Sequence, residues 1–359
     1  MSDPTIQTFC CHHTGNTEDI AVKIMNEFNT DSYNIVCLVS SIIGIFGSLY
    51  QIYPRNKQKE FQSGPTSAST HGQWIIFWLA VADLFASSGV LIRSSLWLRY
   101  KNIMPMPDDD VSVLFCSLIS AWTQYFYTAT WFWTLFYAID TRHTIQGRDS
   151  HPLLYHSFAW GLPAATTSFG LSILYIPNAT CHNLSSVSSA LYRILPNYCA
   201  TYVPIAIVMI VNPVIYILAS KDIEMAVAFP LAQFTSRERR VIDTLRLKFL
   251  LINVVFYVCW LPNLINGILI WTMWFNIPVK AIITTWYIMA LLNPMQALLN
   301  ALVYRKWNSN NKIFTRSSSV KENIKDLNFF HEQSPLLGSE PSRLLLSPIP
   351  PSINTYATL

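Results

Sequence analysis

The sequence predicts an all-α membrane protein built as a bundle of seven transmembrane helices. Of its 359 residues, 52% are hydrophobic and 12% are charged, which is about half the charged share of an ordinary soluble domain. The apolar residues form runs of about 20, the length at which a helix crosses roughly 30 Å of hydrocarbon. Lysines and arginines fall mainly in alternate loops between these runs.

Seven such runs are bounded by charged or turn-forming residues. The segment before them, residues 1–32, is polar and lacks the apolar core of a signal peptide, so the first span is expected to act as its own signal. The chain then divides into a seven-helix domain at 33–304 and a disordered tail at 305–359. The predicted spans are 33–53, 74–98, 111–138, 157–175, 198–220, 249–274 and 281–304.

Positive charge indicates the direction of the bundle. Of the 24 Lys and Arg residues, 18 lie in the loops and tail that share a side with the carboxyl terminus, 5 lie on the opposite side and Arg93 lies inside a span. Because cytosolic loops carry the excess of these residues, we predict a cytosolic carboxyl terminus. The amino terminus is then lumenal or extracellular.

The segment between spans four and five supports this orientation. It holds two N-glycosylation sequons, at Asn178 and Asn183, which are used only on the lumenal side. It also holds Cys181, while Cys116 lies near the lumenal start of span three, so an oxidising compartment would join the two in a disulfide. The alternative is that both cysteines are free thiols.

Two polar residues are predicted to meet at the middle of the bundle. Asp83 lies about nine residues into span two and Asn293 about twelve residues into span seven from the opposite side, so the two are expected to be level. An ionisable group at that depth requires a polar partner or water. Asp83 therefore either binds a small cation or shuttles a proton as the helices shift, or forms a purely structural pair.

Arg93 lies close to the lumenal end of span two. Its long side chain is able to snorkel outward, and Asp108, Asp109 and Asp110 follow at the lumenal mouth of the bundle. Arg93 is therefore either an interfacial anchor or a contact for an acidic group of a ligand.

Three spans contain a proline that is expected to bend the helix. Pro213 bends span five, Pro262 bends span six and Pro294 bends span seven. Bent helices are expected to move, although they would also suit a transporter. The candidates for ligand binding or activation beside these kinks are Trp260, Asn263 and Asn293.

Charged residues line the predicted cytosolic face. Span three ends in the motif Asp-Thr-Arg at 140–142, and residues 235–240 of the third loop begin with a capping box that opens a helix. These charges favour a docking surface for a helix of a partner protein, or alternatively attraction to anionic lipid headgroups. The candidate coupling residues are Asp140, Arg142, Glu238, Arg239 and Arg240.

The tail carries two copies of an acidic dileucine pattern. In each copy a Glu precedes a Leu pair by four residues, and nearby prolines keep the segment from folding into a helix. An extended peptide of this kind can place its acid on a basic patch of a sorting adaptor and its leucines in an apolar pocket. The predicted sorting residues are Glu332, Leu336, Leu337, Glu340, Leu344 and Leu345.

Other classes of membrane protein fit less well. A retinal pigment needs a Lys in span seven, and residues 281–304 contain none. A seven-span hydrolase needs His, Asp or Glu side chains that converge on a metal, but the His residues lie in loops or tails except His156 at the border of span four. We expect no enzyme activity, metal, cofactor or nucleic-acid partner. The alternative is an organellar proton-coupled transporter of a small amino-acid-like solute.

Seven short motifs occur in one order along about two thirds of the chain. They are TFCC at 8–11, VLIRSSLWL at 90–98, LFYAID at 135–140, LLYHSFAWGL at 153–162, ERR at 238–240, CWLPNLIN at 259–266 and TTWYIMALLNP at 284–294. In this order they resemble the ocular albinism type 1 family of melanosomal G-protein-coupled receptors.

The resemblance implies a receptor of the melanosome, lysosome or late endosome, with some at the plasma membrane, that controls melanosome biogenesis and pigmentation. It implies heterotrimeric G proteins as partners, with sorting adaptors and arrestin-like proteins besides. The implied ligand is L-DOPA, dopamine or tyrosine.

The chain departs from related patterns at four points. The motif at 140–142 is not the Asp-Arg-Tyr of the wider rhodopsin-like class, and no Tyr lies three positions after Pro294. The family's dileucine-like signal in the third loop and its Trp-Glu pair in the tail are also absent. The tail dileucines are therefore the remaining candidates for a sorting signal.

Overall fold

The computed structural model describes residues 27–53, 67–100, 110–174, 187–228, 236–272 and 278–306. Within these ranges a π-helical turn, Leu302–Lys306, follows the last α-helix. The predicted seven-helix fold is confirmed, and each predicted span overlaps one helix. The helices are α1 (Thr30–Ile52), α2 (Ser67–Arg99), α3 (Asp110–Ile145), α4 (Pro152–Leu174), α5 (Val187–Ala228), α6 (Ser236–Thr272) and α7 (Val279–Ala301).

Five of these described helices, α1, α2, α5, α6 and α7, are long and apolar enough to cross a membrane. Helix α3 contains threonines that are almost completely buried. The hydroxyls of Thr123, Thr128 and Thr134 each donate to the carbonyl four residues earlier, at 2.7 to 2.8 Å. Because this local bond satisfies the hydroxyl, a threonine-rich helix remains compatible with the interior of a membrane bundle.

The helices close into a ring. α1 packs against α2 and α7, α3 packs against α2, α4 and α5, and α6 lies between α5 and α7. Ile35, Val39, Ile42 and Phe46 are exposed along α1, and their spacing of three or four residues places them on one face. This outward apolar face is what a helix presents to lipid.

The core of the bundle has an outer half and an inner half. The outer half, towards the amino ends of α1 and α7, contains Tyr33, Trp260 and Trp286. The inner half, towards the carboxyl end of α7, contains Trp133 and Tyr304. The predicted candidates for ligand binding lie in or next to the outer half, and the predicted coupling residues lie at the end of the inner half.

Candidate functional site

Asp83 is buried near the middle of α2, with 2% of its surface exposed. Asn300 of α7 donates a hydrogen bond from Nδ2 to Asp83 Oδ2 at 3.0 Å. A buried carboxyl group in a membrane bundle requires such a polar partner. The bond therefore ties α2 to α7 at the level of Asp83.

The partner of Asp83 differs from the predicted one. Asn293 lies seven residues before Asn300, about two helical turns away, and lines a small cavity beside Arg93 instead. Counting residues inward from the ends of each span gives the depth along one helix but not the axial offset between two helices. In the rhodopsin-like class a Tyr lies three positions after the Pro of an Asn-Pro pair, so the Asn and the Tyr are four positions apart. Asn300 and Tyr304 have this spacing, and the signal was missed because no proline follows Asn300.

A second set of polar bonds joins α6 to α7 beside their prolines. Asn263 and Asn293 exchange side-chain hydrogen bonds at 2.9 and 3.3 Å, and both residues are buried. About one turn away on each helix, the indole N–H of Trp260 donates to Oε1 of Gln296. The sequence-predicted candidates Trp260, Asn263 and Asn293 are thus brought together, and they hold the two proline-containing regions against each other.

Trp260 also connects α6 to α3. Its ring meets the rings of Tyr127 and Trp131 nearly edge-on, with centroids 5.1 and 4.8 Å away. Such contacts between large buried rings stabilise one relative position of the two helices. A movement of α6 at Trp260 therefore requires the aromatic contacts with α3 to change.

The side chain of Arg93 in α2 lies inside the bundle, next to α1 and α7. Only 8% of its surface is exposed, its Nη2 lies 3.7 Å from Cys37 Sγ, and it borders a cavity of about 10 Å³ together with Tyr33 and Asn293. The interpretation as an outward-reaching interfacial anchor is therefore wrong, because the side chain follows the helix surface that faces α1 and α7. The interpretation as a contact for an acidic ligand group stays a prediction.

Four aromatic rings from the amino ends of α1 and α7 pack together in the outer half. The ring of Phe28 lies 5.2 Å from those of Tyr33 and Trp286, and Tyr33 lies 5.9 Å from Tyr287. Tyr33 contributes to this cluster and also to the cavity beside Arg93. The structure thus places Arg93 beside Tyr33, one ring of this aromatic cluster, an arrangement that the sequence did not predict.

The acid and base at the end of α3 have separate partners. Arg142 Nε lies 3.0 Å from Asp222 Oδ2, to which Gln146 also donates at 2.8 Å. Asp140 is buried and accepts a hydrogen bond of 2.5 Å from the hydroxyl of Ser150. Arg142 therefore ties α3 to the inner end of α5, whereas Asp140 holds the segment that leads into α4.

Lys248 connects α6 to α3 at the same end of the bundle. Its Nζ donates to the hydroxyl of Tyr137 at 2.9 Å and lies 5.6 Å from the centre of that ring. The Tyr137 ring in turn meets Tyr304 at 5.0 Å. A more exposed ion pair joins Arg246 to Glu224 of α5. Lys248 and Arg246 thus have specific partners on α3 and α5, respectively.

Several predicted sites lie outside what the structure describes. Asn178, Asn183 and Cys181 fall in the gap between α4 and α5, and the side chains of Cys116, Glu238, Arg239 and Arg240 are not among those described. Among the residues that are described, no cluster of His, Cys, Asp or Glu with the makeup of a metal site occurs. The tail residues Glu332, Leu336, Leu337, Glu340, Leu344 and Leu345 are also outside the described ranges.

Comparison with known proteins identifies relatives across most of the chain. Residues 1–325 match the model of the family described as ocular albinism type 1 protein. The human protein named G-protein coupled receptor 143 is 29% identical over 330 residues, which cover 86% of this chain and 78% of that protein. Cyclic AMP receptor-like protein C of Dictyostelium discoideum is 23% identical over 201 residues, which cover 54% of this chain and 53% of that protein.

A solved structure with the same fold is the crystal structure of squid rhodopsin. It superimposes with a TM-score of 0.57 over 92% of this chain and 99% of the rhodopsin chain. The sequence identity is 14%, so the likeness concerns the arrangement of the helices.

Proposed function

Because the chain belongs to the ocular albinism type 1 protein family, we propose that this G-protein-coupled receptor senses a tyrosine-derived ligand such as L-DOPA and activates heterotrimeric G proteins. It is a multi-pass membrane receptor, and its relatives are receptors rather than enzymes. It acts in melanosomes, lysosomes or late endosomes, with some at the plasma membrane. There it controls melanosome biogenesis and pigmentation.

A series of buried or partly buried polar contacts along the bundle carries this proposal. Each contact joins two different helices, and those in the outer half lie beside the prolines of α6 and α7. A ligand that favours one position of α6 or α7 in the outer half would change the contacts at the inner end, which is how binding becomes a signal. The contacts are Asn263–Asn293, Trp260–Gln296, Asp83–Asn300 and Tyr137–Lys248.

The surroundings of Arg93 support an amino acid as the ligand. A guanidinium forms strong paired hydrogen bonds with a carboxylate. Tyr33 lines the same cavity as Arg93, and its ring packs against Phe28, which packs against Trp286. Aromatic rings of this kind pack well against a catechol or phenol ring. L-DOPA and tyrosine carry both a carboxylate and such a ring, whereas dopamine has the ring and an amine but no carboxylate.

Replacing Arg93 by Ala is expected to separate these ligands. The variant should lose most of its response to L-DOPA and tyrosine, a shift of about ten-fold or more in the half-maximal concentration, because a charge-assisted bond is worth roughly 1.5–3 kcal/mol. Its response to dopamine should change far less, since dopamine has no carboxylate. The measurement is ligand-stimulated nucleotide exchange on a purified heterotrimeric G protein, with the receptor in lipid nanodiscs.

Asp83→Asn is the matched control, because Asp83 belongs to the contacts between helices and is not expected to touch the ligand. Its amide can still bond Asn300 but carries no charge, so the response to all three ligands should fall alike. An equal loss for dopamine in Arg93→Ala would contradict the carboxylate contact. If no ligand stimulates exchange and the protein instead carries an amino acid into proteoliposomes, the transporter alternative replaces the receptor.

We propose that the tail leucines direct the receptor to its organelle. Replacing Leu336, Leu337, Leu344 and Leu345 by Ala should remove both adaptor-binding pairs and increase the share of receptor at the cell surface several-fold. Surface biotinylation in pigment cells measures that share. An unchanged organelle location would contradict the proposal.

The same cells provide a control for orientation, which rests on the distribution of Lys and Arg. Use of the sequons at Asn178 or Asn183 requires that segment to be lumenal and the tail to be cytosolic. A mobility shift after glycosidase treatment is therefore expected. Its loss in the Asn178→Gln, Asn183→Gln variant would assign the sugar to these sites and support a lumenal position for Cys116 and Cys181.

A further inference from the structure

A cleft of about 220 Å³ lies between the outer ends of α5 and α6. Among the described residues that line it there is no Asp, Glu, Lys, Arg or His. The polar atoms at its edge belong to hydroxyls, and the hydroxyl of Thr272 already donates to the Ile268 carbonyl at 2.7 Å. The lining includes Tyr198, Tyr202, Leu264, Gly267, Ile268 and Thr272.

One wall of the cleft is fixed by close packing at Gly267. A Cβ atom at this position would collide with the ring of Tyr202, so the absence of a side chain lets that ring lie against the backbone of α6. The Tyr198 hydroxyl donates to the Gly267 carbonyl, and the two tyrosine rings have centroids 4.2 Å apart. The aromatic wall is therefore held by both packing and a hydrogen bond.

The cleft is flanked by the lipid-facing surface of the bundle. Ile268 is 53% exposed, and Val203 of α5 and Ile265 of α6 are exposed beside it. Since these apolar side chains face hydrocarbon in a membrane, a molecule can reach the cleft from the bilayer. A charged molecule would lose its hydration without gaining a counter-charge there.

We propose that this cleft binds an uncharged, single-ring apolar molecule that partitions into the bilayer. Its volume decides the size of the ligand, because an apolar protein cavity of about 150 Å³ is sufficient for benzene. Sites for drug-sized ligands are larger, roughly 300–1,000 Å³. The cleft is distinct from the surroundings of Arg93, which carry a positive charge, and its occupancy does not depend on the identity of the receptor's ligand or G protein.

Photolabelling with 3-trifluoromethyl-3-phenyldiazirine tests the proposal. The full-length receptor is reconstituted in phosphatidylcholine nanodiscs, labelled, and analysed by peptide mass spectrometry. Labelling at Leu264 and Ile268 should saturate with probe concentration and fall about five-fold or more with excess trifluorotoluene, as expected for a site of finite affinity. Val254 and Val258, exposed on the same helix, should be labelled in proportion to the probe and resist competition.

A variant that fills the cleft completes the test. Leu264→Trp should abolish the saturable labelling at Ile268 and leave labelling at Val254 unchanged, and Leu264→Phe provides a milder change if the larger ring prevents folding. Unsaturable labelling at Ile268, equal to that at Val258, would overturn the proposal. So would labelling of the cleft by a diazirine-bearing phosphatidylcholine that trifluorotoluene does not displace, since the occupant would then be a lipid chain.

Discussion

Replacing Lys248 by Met is expected to raise ligand-independent nucleotide exchange about five-fold. The Lys248 ammonium donates to the Tyr137 hydroxyl at 2.9 Å and links α6 to α3 at the inner face. A hydrogen bond to a charged group contributes roughly 1.5–3 kcal/mol when buried, and partial exposure reduces this to about 1 kcal/mol, which corresponds to a factor of about five. Because Pro262 lies inside α6 and removes one of its helical hydrogen bonds, losing this link favours positions in which the inner arm of α6 has moved away from α3.

Two variants serve as controls for Lys248→Met. Lys248→Arg retains a donor and should keep the low basal rate. Arg246→Met removes an ion pair with Glu224 in which both side chains are more than 40% exposed, and such exposed pairs contribute little, so its basal rate should change less than two-fold.

The α3–α6 link has a readout that does not require a G protein. Spin labels on the inner ends of α3 and α6 should report a broader distance distribution in Lys248→Met than in Arg246→Met. Identical distributions in the two variants would contradict the role of Lys248, whichever G protein is used. A changed distance distribution without a change in nucleotide exchange would support the role of Lys248 in linking α3 to α6 and would count against G-protein coupling.

The parts of the fold that depend on local sequence could be predicted. Long apolar runs determine which segments span the membrane, and prolines determine where helices bend, so both follow from neighbouring residues. The residues singled out beside Pro262 and Pro294, namely Trp260, Asn263 and Asn293, lie in neighbouring contacts between α6 and α7. Even α3, which carries several buried threonines, was found from its length and its bounding charges.

Contacts between distant helices could not be predicted in the same way. Asp83 bonds Asn300, not Asn293, because the axial offset of α7 against α2 is set by packing over both helices. Arg93 points between α1 and α7, whereas its position near a span end suggested an outward side chain. The Lys248–Tyr137 contact joins residues 111 positions apart, and neither residue carries a local signal for the other.

Replacing Gly47 by Ala is expected to destabilise the bundle by about 2 kcal/mol, since an extra carbon in a tightly packed interface forces the backbone to move. A Cβ at Gly47 would lie 2.5 Å from the backbone nitrogen of Leu298 in α7. Backbone atoms cannot rotate aside as a side chain can, so α1 must move away from α7. The melting temperature in detergent should fall by roughly 5 °C. The variant and the unchanged protein are heated at the same rate, because membrane proteins often unfold irreversibly.

Gly161→Ala is the matched control, because it makes the same chemical change inside helix α4. A Cβ at Gly161 would meet nothing within 4 Å, and Ala favours a helix over Gly by about 1 kcal/mol. This variant should therefore melt at or above the temperature of the unchanged protein. Equal melting temperatures for the two variants would contradict a tight α1–α7 contact at Gly47. Because α7 also carries Asn293 and Asn300, a displaced α7 in Gly47→Ala should weaken ligand-stimulated exchange, whereas Gly161→Ala should preserve it.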